Sequence, residues 1–356
     1  MVSALDVVTF IIVPLILILA IVGLWLAQLL VIEAQKRFLH SLKHKHEPLI
    51  RFANFVGILF QTFCQWLGYT VTHSGVSQFR LSINDGAITP KREKTGVLKW
   101  IADSIFFLGP FLIPAGLLLL AGYFVIHTGY TIPATAFTIQ DQIMTFATAL
   151  VAFTQSFITF LGQLDLLNPL HFGFLALLLF CGLGIRPSYL GERHKEHITL
   201  FTDLGNIKSL FLGRPLYLIG IIIILYAIAA GSYLAGASWL LDLATVVAWI
   251  ALIAILTLIL TFVLLIFLRT LDEIQSRWRY LPFLSMLLSY LGFRVLFFLV
   301  PIGNAEGASL FGMLGVTLAV TIYLLKWKTN TFKAPKAMKH RRDPDAKHRS
   351  SQRREG

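Results

Sequence analysis

Between Ser238 and Leu268 the chain carries a single charged residue, Asp242. That run exceeds the roughly 20 apolar residues an α-helix needs to cross a bilayer. In lipid a backbone must satisfy its own polar groups, so a run of this kind predicts a membrane helix. Composition extends the argument to the whole chain. Hydrophobic residues make up 56% and charged residues 13%, with a mean hydropathy of +0.75. A soluble domain carries about 25% charged residues. A chain this apolar cannot cover a water-facing surface, and its 356 residues leave room for several spans and no large soluble domain.

Apolar runs predict spans near 6–32, 98–126, 169–186, 215–235, 238–268, 281–300 and 308–326. Two further stretches, 52–73 and 140–163, are apolar but rich in Gln, Thr and Ser. Crossing, re-entering, and lying against other helices are all open to them. Between the first of these and the span at 98–126 lies a strand signal. Phe79, Leu81 and Ile83 alternate with Gln78, Arg80 and Ser82, and Asn84-Asp85-Gly86 precedes Ala87-Ile88-Thr89. Alternation ending in Asp-Gly predicts a hairpin. The expected fold class is therefore an all-α polytopic membrane protein of about 7–9 membrane segments, with one short β-hairpin near 77–90. The first run, Val7 to Ile32, is too long for a signal-peptide core and lacks a basic segment before it, so it reads as a retained span. Two cysteines, Cys64 and Cys181, exclude a disulfide framework and a cysteine-based zinc site.

Loop charge predicts orientation. Lys36, Arg37, Lys43, Lys45 and Arg51 follow the first span. Arg186, Arg193, Lys195, Lys208 and Arg214 fill the next basic loop, and Arg269, Arg277 and Arg279 another. From Lys326 onward eleven Lys or Arg face Asp343, Asp345 and Glu355, which is most of the chain's net +12. The loops near 128–139, 236 and 301–307 carry no Lys or Arg. The C-terminus is therefore expected in the cytoplasm, with the protein in the cell membrane. The hairpin flank (Arg80, Lys91, Arg92, Lys94, Lys99) is basic too, and keeping it cytoplasmic requires that 52–73 and 140–163 not cross completely. The tail beyond residue 327 has nothing to bury and is expected to be disordered. It serves orientation and solubility, or binds anionic lipid headgroups. No specific nucleic acid is expected as a partner.

Ionisable groups inside lipid are candidates for function. Arg294 lies in the 281–300 span and Asp242 near the start of the 238–268 span. The orientation puts them at similar depth, so they are expected to pair, either fixing helix register or lining a solute path. Asp103 reads as a helix cap or a partner for Lys99. His40, His44, His46 and Glu47 form one histidine cluster, and His194, Glu196 and His197 another. Both are interleaved with Lys and Arg, which favours a basic interfacial helix over zinc binding. No metal site and no cofactor are expected. No Gly-rich phosphate loop, serine elbow or HExxH is present.

The chain reads Gln61-Thr62-Phe63-Cys64-Gln65, then Gly75-Val76-Ser77-Gln78-Phe79-Arg80-Leu81, the Asp85-Gly86 turn, and Phe107-Leu108-Gly109-Pro110. Asp165-Leu166-Leu167-Asn168-Pro169 and Gly182-Leu183-Gly184-Ile185-Arg186-Pro187-Ser188 follow. From Phe52 to Leu190 this order resembles the intramembrane zinc metallopeptidases of the site-2-protease type. Hydropathy and charge divide the rest of the chain into a first span with a basic interfacial segment (1–51), a C-terminal helical bundle (191–326) and the tail (327–356), and the resemblance implies that 52–190 is a peptidase-like membrane core with the hairpin. It places Gln61 and Gln65 where that family has zinc-binding histidines and Thr62 where it has the catalytic glutamate. Asp165 and Asn168 match its downstream Asp and Asn-Pro elements. Gln binds zinc poorly and Thr cannot serve as general base for a metal-bound water, so no catalytic residue is expected. Outside the resemblance, Gln61 and Gln65 read as interhelical hydrogen-bonding residues.

Three functions follow. The first is a non-catalytic protein whose protease-like core binds or presents membrane-protein clients. The second is a transporter or channel component using Arg294 and Asp242. The third is a metallopeptidase with atypical ligands such as His73, Asp165 and His171.

Overall fold

The structure, a computed structural model, describes residues 4–42, 47–82, 86–132, 138–185, 200–274, 278–300 and 302–341. Its elements run α1 (Ala4–Leu42), α2 (Glu47–Val71), β1 (Val76–Leu81), β2 (Gly86–Pro90), α3 (Gly96–Ile126), α4 (Ile139–Gly162) and α5 (Pro169–Gly184). Then come α6 (Leu200–Leu212), α7 (Pro215–Ala235), α8 (Trp239–Asp272), α9 (Leu281–Leu299) and α10 (Ala305–Arg341). Among the described residues seven helices are long and apolar enough to cross a membrane: α1, α3, α4, α7, α8, α9 and α10. The protein is a multi-pass integral membrane protein carrying a two-stranded antiparallel hairpin.

Three expectations change in detail. The 140–163 stretch forms a full-length candidate span, Gln140–Gly162, despite its Gln, Thr and Ser content. Thr154 removes one polar cost by donating to the Leu150 carbonyl of its own helix. The 169–186 run gives only the 16-residue α5, about 24 Å long against ~30 Å of hydrocarbon. Asn168 caps it through Leu170 N–H, and Pro169 opens its first turn. The basic loop at 186–214 contains α6. Beyond these, α10 continues to Arg341, past the expected start of an unstructured tail at 327. Propagating an existing helix through Lys, Ala and Met costs far less than nucleating one. Residues 342–356, both ends of the hairpin's Asn84-Asp85 pair, His44, His46, the His194–His197 cluster and Arg186-Pro187-Ser188 lie outside the described residues.

The chain divides into two compact units. The first comprises Met1–Leu161 and Leu166–Val263, the second Gly162–Asp165 and Leu264–Gly356. In the first unit α2 packs on α3 and α5. Small residues set these contacts, as expected where lipid supplies no hydrophobic drive between helices. Gly109 on α3 abuts Cys64 on α2, where an added Cβ would lie 2.7 Å from Sγ. Gly184 on α5 abuts the Phe60 ring, and Gly68 on α2 abuts the Ala102 carbonyl. Elsewhere Val13, Leu17, Phe146, Leu241, Ala244 and Ala248 form one buried cluster from α1, α4 and α8. Trp249 stacks on Phe153 with ring centroids 5.8 Å apart.

Three interhelical hydrogen bonds of the first unit run from side chains to carbonyls. Trp249 Nε1 donates to Ala149 O at 3.3 Å, Gln35 Nε2 to Leu258 O at 3.3 Å, and Gln28 Nε2 to Phe111 O at 3.3 Å. Gln28 is fully buried, and its Oε1 has no partner. One such bond inside a membrane contributes about 0.6 kcal/mol on average, whereas an orphaned buried acceptor costs about 1–3 kcal/mol. The orphan wins. Gln28→Met is therefore expected to leave the thermal midpoint in detergent unchanged or raise it, and a fall of several degrees would contradict this accounting.

In the second unit α9 packs on α10. Leu271, Ile274 and Leu324 are its buried cluster, with Phe267 and Leu281 against them. Gly312 makes room for the Phe293 ring, which a Cβ there would meet at 2.6 Å.

Candidate functional site

The hairpin sits on α2. β1 and β2 pair antiparallel with Phe79 opposite Ile88 and Leu81 opposite Gly86, and an irregularity interrupts the register between Val76 and Gln78. Gly86 faces Thr62 and Ile58 so closely that any Cβ would collide with Thr62 Oγ1. Ile88 is 6% exposed, while Phe79 across from it is 58% exposed. Ile88 of β2 is thus seated on the helix, whereas β1 does not show the burial alternation its sequence suggests: Ser77, Gln78, Phe79 and Arg80 are all exposed, and the strand overhangs.

Beneath that overhang lies an open cavity of about 470 Å³, lined by Leu59, Thr62, Phe63, Trp66, Val76 and Phe79. The four α2 residues recur at i, i+3, i+4 and i+7, which is one face of a helix. The volume is within the range of ligand pockets, roughly 300–1,000 Å³. Its walls are apolar: Thr62 is 1% exposed and its hydroxyl donates to the Ile58 carbonyl at 2.7 Å. Thr62 therefore has neither the chemistry of a base nor a free proton. Among the described residues β1 has no strand on its other side.

Gln61 and Gln65 lie elsewhere on α2. At 100° per residue they fall between the face that meets α3 (Cys64, Gly68) and the face that meets the hairpin (Ile58, Thr62). Both are half-buried, and Gln65 Oε1 is enclosed without a partner. The structure does bring the two glutamines onto one face, as their i, i+4 spacing requires.

Asp165 belongs to the second unit, and its oxygens are engaged there. Tyr290 Oη donates to Asp165 Oδ1 at 2.8 Å, and Arg294 Nη2 to Oδ2 at 3.0 Å. Arg294 Nη1 also reaches Glu306 Oε1 at 2.9 Å. This corrects the expected pairing of Arg294 with Asp242. Asp242 instead accepts from the Ser238 hydroxyl at 3.1 and 3.0 Å in the first turn of α8, where the helix N-terminus also favours a carboxylate. Asn168 is the α5 cap already described. His73 is exposed with φ 52° and His171 lies edge-on to Phe160. No three His, Cys, Asp or Glu among the described residues gather to hold a metal.

Reasoning from the sequence missed Leu59, Phe63 and Trp66, although their helical spacing was available. It also missed Tyr290 and Glu306, which had no local signal. Comparison with protein-family models, with curated proteins and with solved structures finds no match.

Proposed function

We propose that this membrane protein is non-catalytic and that the α2–hairpin groove receives an extended, apolar segment of a membrane-protein client. The observation that carries the reading is the apolar cavity beside an unpaired strand edge. A segment adding to β1 would gain main-chain hydrogen bonds while alternate side chains entered the cavity between Phe79 and the Phe63–Trp66 face. The resemblance to intramembrane metallopeptidases with Gln61, Thr62 and Gln65 replacing the catalytic set agrees with binding without cleavage. Loop charge supports a cytoplasmic C-terminus.

The test uses a photo-crosslinking residue at Phe79 or at Phe63, with Leu314 on α10 as a lipid-exposed control. The probe is a synthetic apolar peptide with strand-forming residues, added to protein in nanodiscs. Capture is expected at 79 and 63 and not at 314. A version with proline at alternate positions lacks the necessary N–H groups and is expected to be captured at least several-fold less. Equal capture of both peptides, or equal capture at 314, would remove the basis of the proposal.

A further inference from the structure

Two candidate spans of the first unit begin together. α3 starts at Gly96 and α7 at Pro215. Arg214, the residue capping α7, donates from Nη1 to the Gly96 carbonyl at 3.2 Å. The two starts therefore stand at one level, where apolar spans give way to the headgroup layer. Trp100 holds the corner from behind. Its Nε1 donates to the Leu210 carbonyl of α6 at 3.0 Å, and its ring centroid lies 5.5 Å from that of Tyr217. The Arg214 guanidinium sits 5.9 Å above the Tyr217 ring.

This corner is positive. Lys99 is exposed on the first turn of α3 and Arg214 is half-exposed beside it. Neither Thr95 nor Arg214 makes a side-chain cap hydrogen bond, so the first N–H groups of α3 add to the positive field. Arg214 spends one donor on Gly96, and guanidinium has five. Asp103, one turn beyond Lys99, is close enough to act on both cations. Lys99 and Arg214 outnumber Asp103, and Glu93, which acts with Asp103 on Tyr69, stands between Arg92 and Lys94, so the corner stays cationic. Around it stand apolar side chains open to the surroundings: Val97 is 52% exposed, Leu98 43% and Leu216 77%. Cations ringed by bare apolar side chains at the end of two spans match a ligand that is anionic at one end and hydrocarbon at the other.

We propose that the Lys99–Arg214 corner binds the phosphate of an anionic phospholipid headgroup, with the acyl chains lying over Val97, Leu98 and Leu216. The residues of this site are other than those that line the groove.

Full-length protein in mild detergent, studied by native mass spectrometry with added phosphatidylglycerol or phosphatidylcholine, tests it. The intact protein is expected to retain phosphatidylglycerol in preference to phosphatidylcholine. Lys99→Gln, on an exposed side chain, is expected to lower that retention about fivefold, as for loss of one interfacial cation. Arg214→Gln in addition is expected to lower it further. Arg80→Gln, the same charge change on exposed β1, is expected to leave it unaltered. Equal loss with Arg80→Gln would show charge attraction without a site, and equal retention of the two lipids would overturn the proposal. Displacement of the lipid by millimolar inorganic phosphate would reassign the corner to a free anion. Should Arg214→Gln fail to fold, Lys99→Gln and its control still decide.

Discussion

Replacing Gly109 with valine is expected to be strongly damaging to the first unit. A Cβ at that position would lie 2.7 Å from Cys64 Sγ and 3.0 Å from Cys64 Cβ. Neither atom can swing away, because Cys64 is fully buried and short. Pro110 follows directly, and Pro114 stands one turn on, so this part of α3 already lacks two backbone donors. Helix association in lipid rests on close packing and hydrogen bonds, so a forced separation has no hydrophobic term to offset it. Overpacking of this kind costs about 1–3 kcal/mol, and a β-branched side chain falls at the upper end. Cys64 and Cys181 are the chain's two cysteines and both are fully buried, so thiol labelling reports opening. In a Cys64→Ala background the remaining thiol at 181 is expected to label at a midpoint several degrees lower with Gly109→Val than with Gly109. The smaller Gly109→Ala is expected to be partly tolerated there, since Sγ is gone. An unchanged midpoint for Gly109→Val would mean that α2 and α3 are not held at this distance. Because α2 also carries Phe63 and Trp66, the same substitution is expected to reduce peptide capture at the groove.

Arg294→Met is expected to produce the largest loss in the second unit. The guanidinium holds Asp165 on one side and Glu306 on the other. Removing one partner of a fully buried pair costs about 3–5 kcal/mol, while exposed pairs contribute about 0–1 kcal/mol. Asp165 and Arg294 side chains are 20% and 22% exposed, which places the cost near the middle, about 2 kcal/mol. Glu306 is 42% exposed in the first turn of α10, where solvent and the helix N-terminus support its charge. Glu306→Gln is therefore expected to cost under about 1 kcal/mol. The damage thus concentrates at Asp165, whose Oδ1 keeps the Tyr290 hydroxyl. Adding Asp165→Asn to Arg294→Met is expected to recover much of the loss. Hydrogen exchange across residues 281–310 measures both changes locally. Equal costs for Glu306→Gln and Arg294→Met, or no recovery in the double variant, would contradict the assignment.

Much of this architecture is written locally. Uncharged runs specify helices because lipid forbids an unpaired backbone. The Phe79–Leu81 alternation specifies a strand pair because a strand repeats every two residues. Asn168-Pro169 specifies a helix start. Three features were legible only in part. The i, i+3, i+4, i+7 face of Leu59, Thr62, Phe63 and Trp66 is plain in the sequence. That it borders a cavity depends on how far β1 overhangs the helix, and Gly86 against Thr62 sets that. Gln61 and Gln65 drew notice through their spacing, yet their face of α2 is not the cavity's. The charge on Arg294 was legible and its partner was not.

By itself, then, the sequence determined that this is a helical, multi-pass membrane protein with one hairpin, since both depend on periodicities within a few residues. Tertiary structure alone decided which groups meet. Arg294 chose Asp165, 129 residues away in the chain, over Asp242, and Arg214 met Gly96 across 118 residues. Such pairings depend on the rotation and offset of whole helices, which small residues such as Gly109 and Gly184 set by allowing backbones to approach.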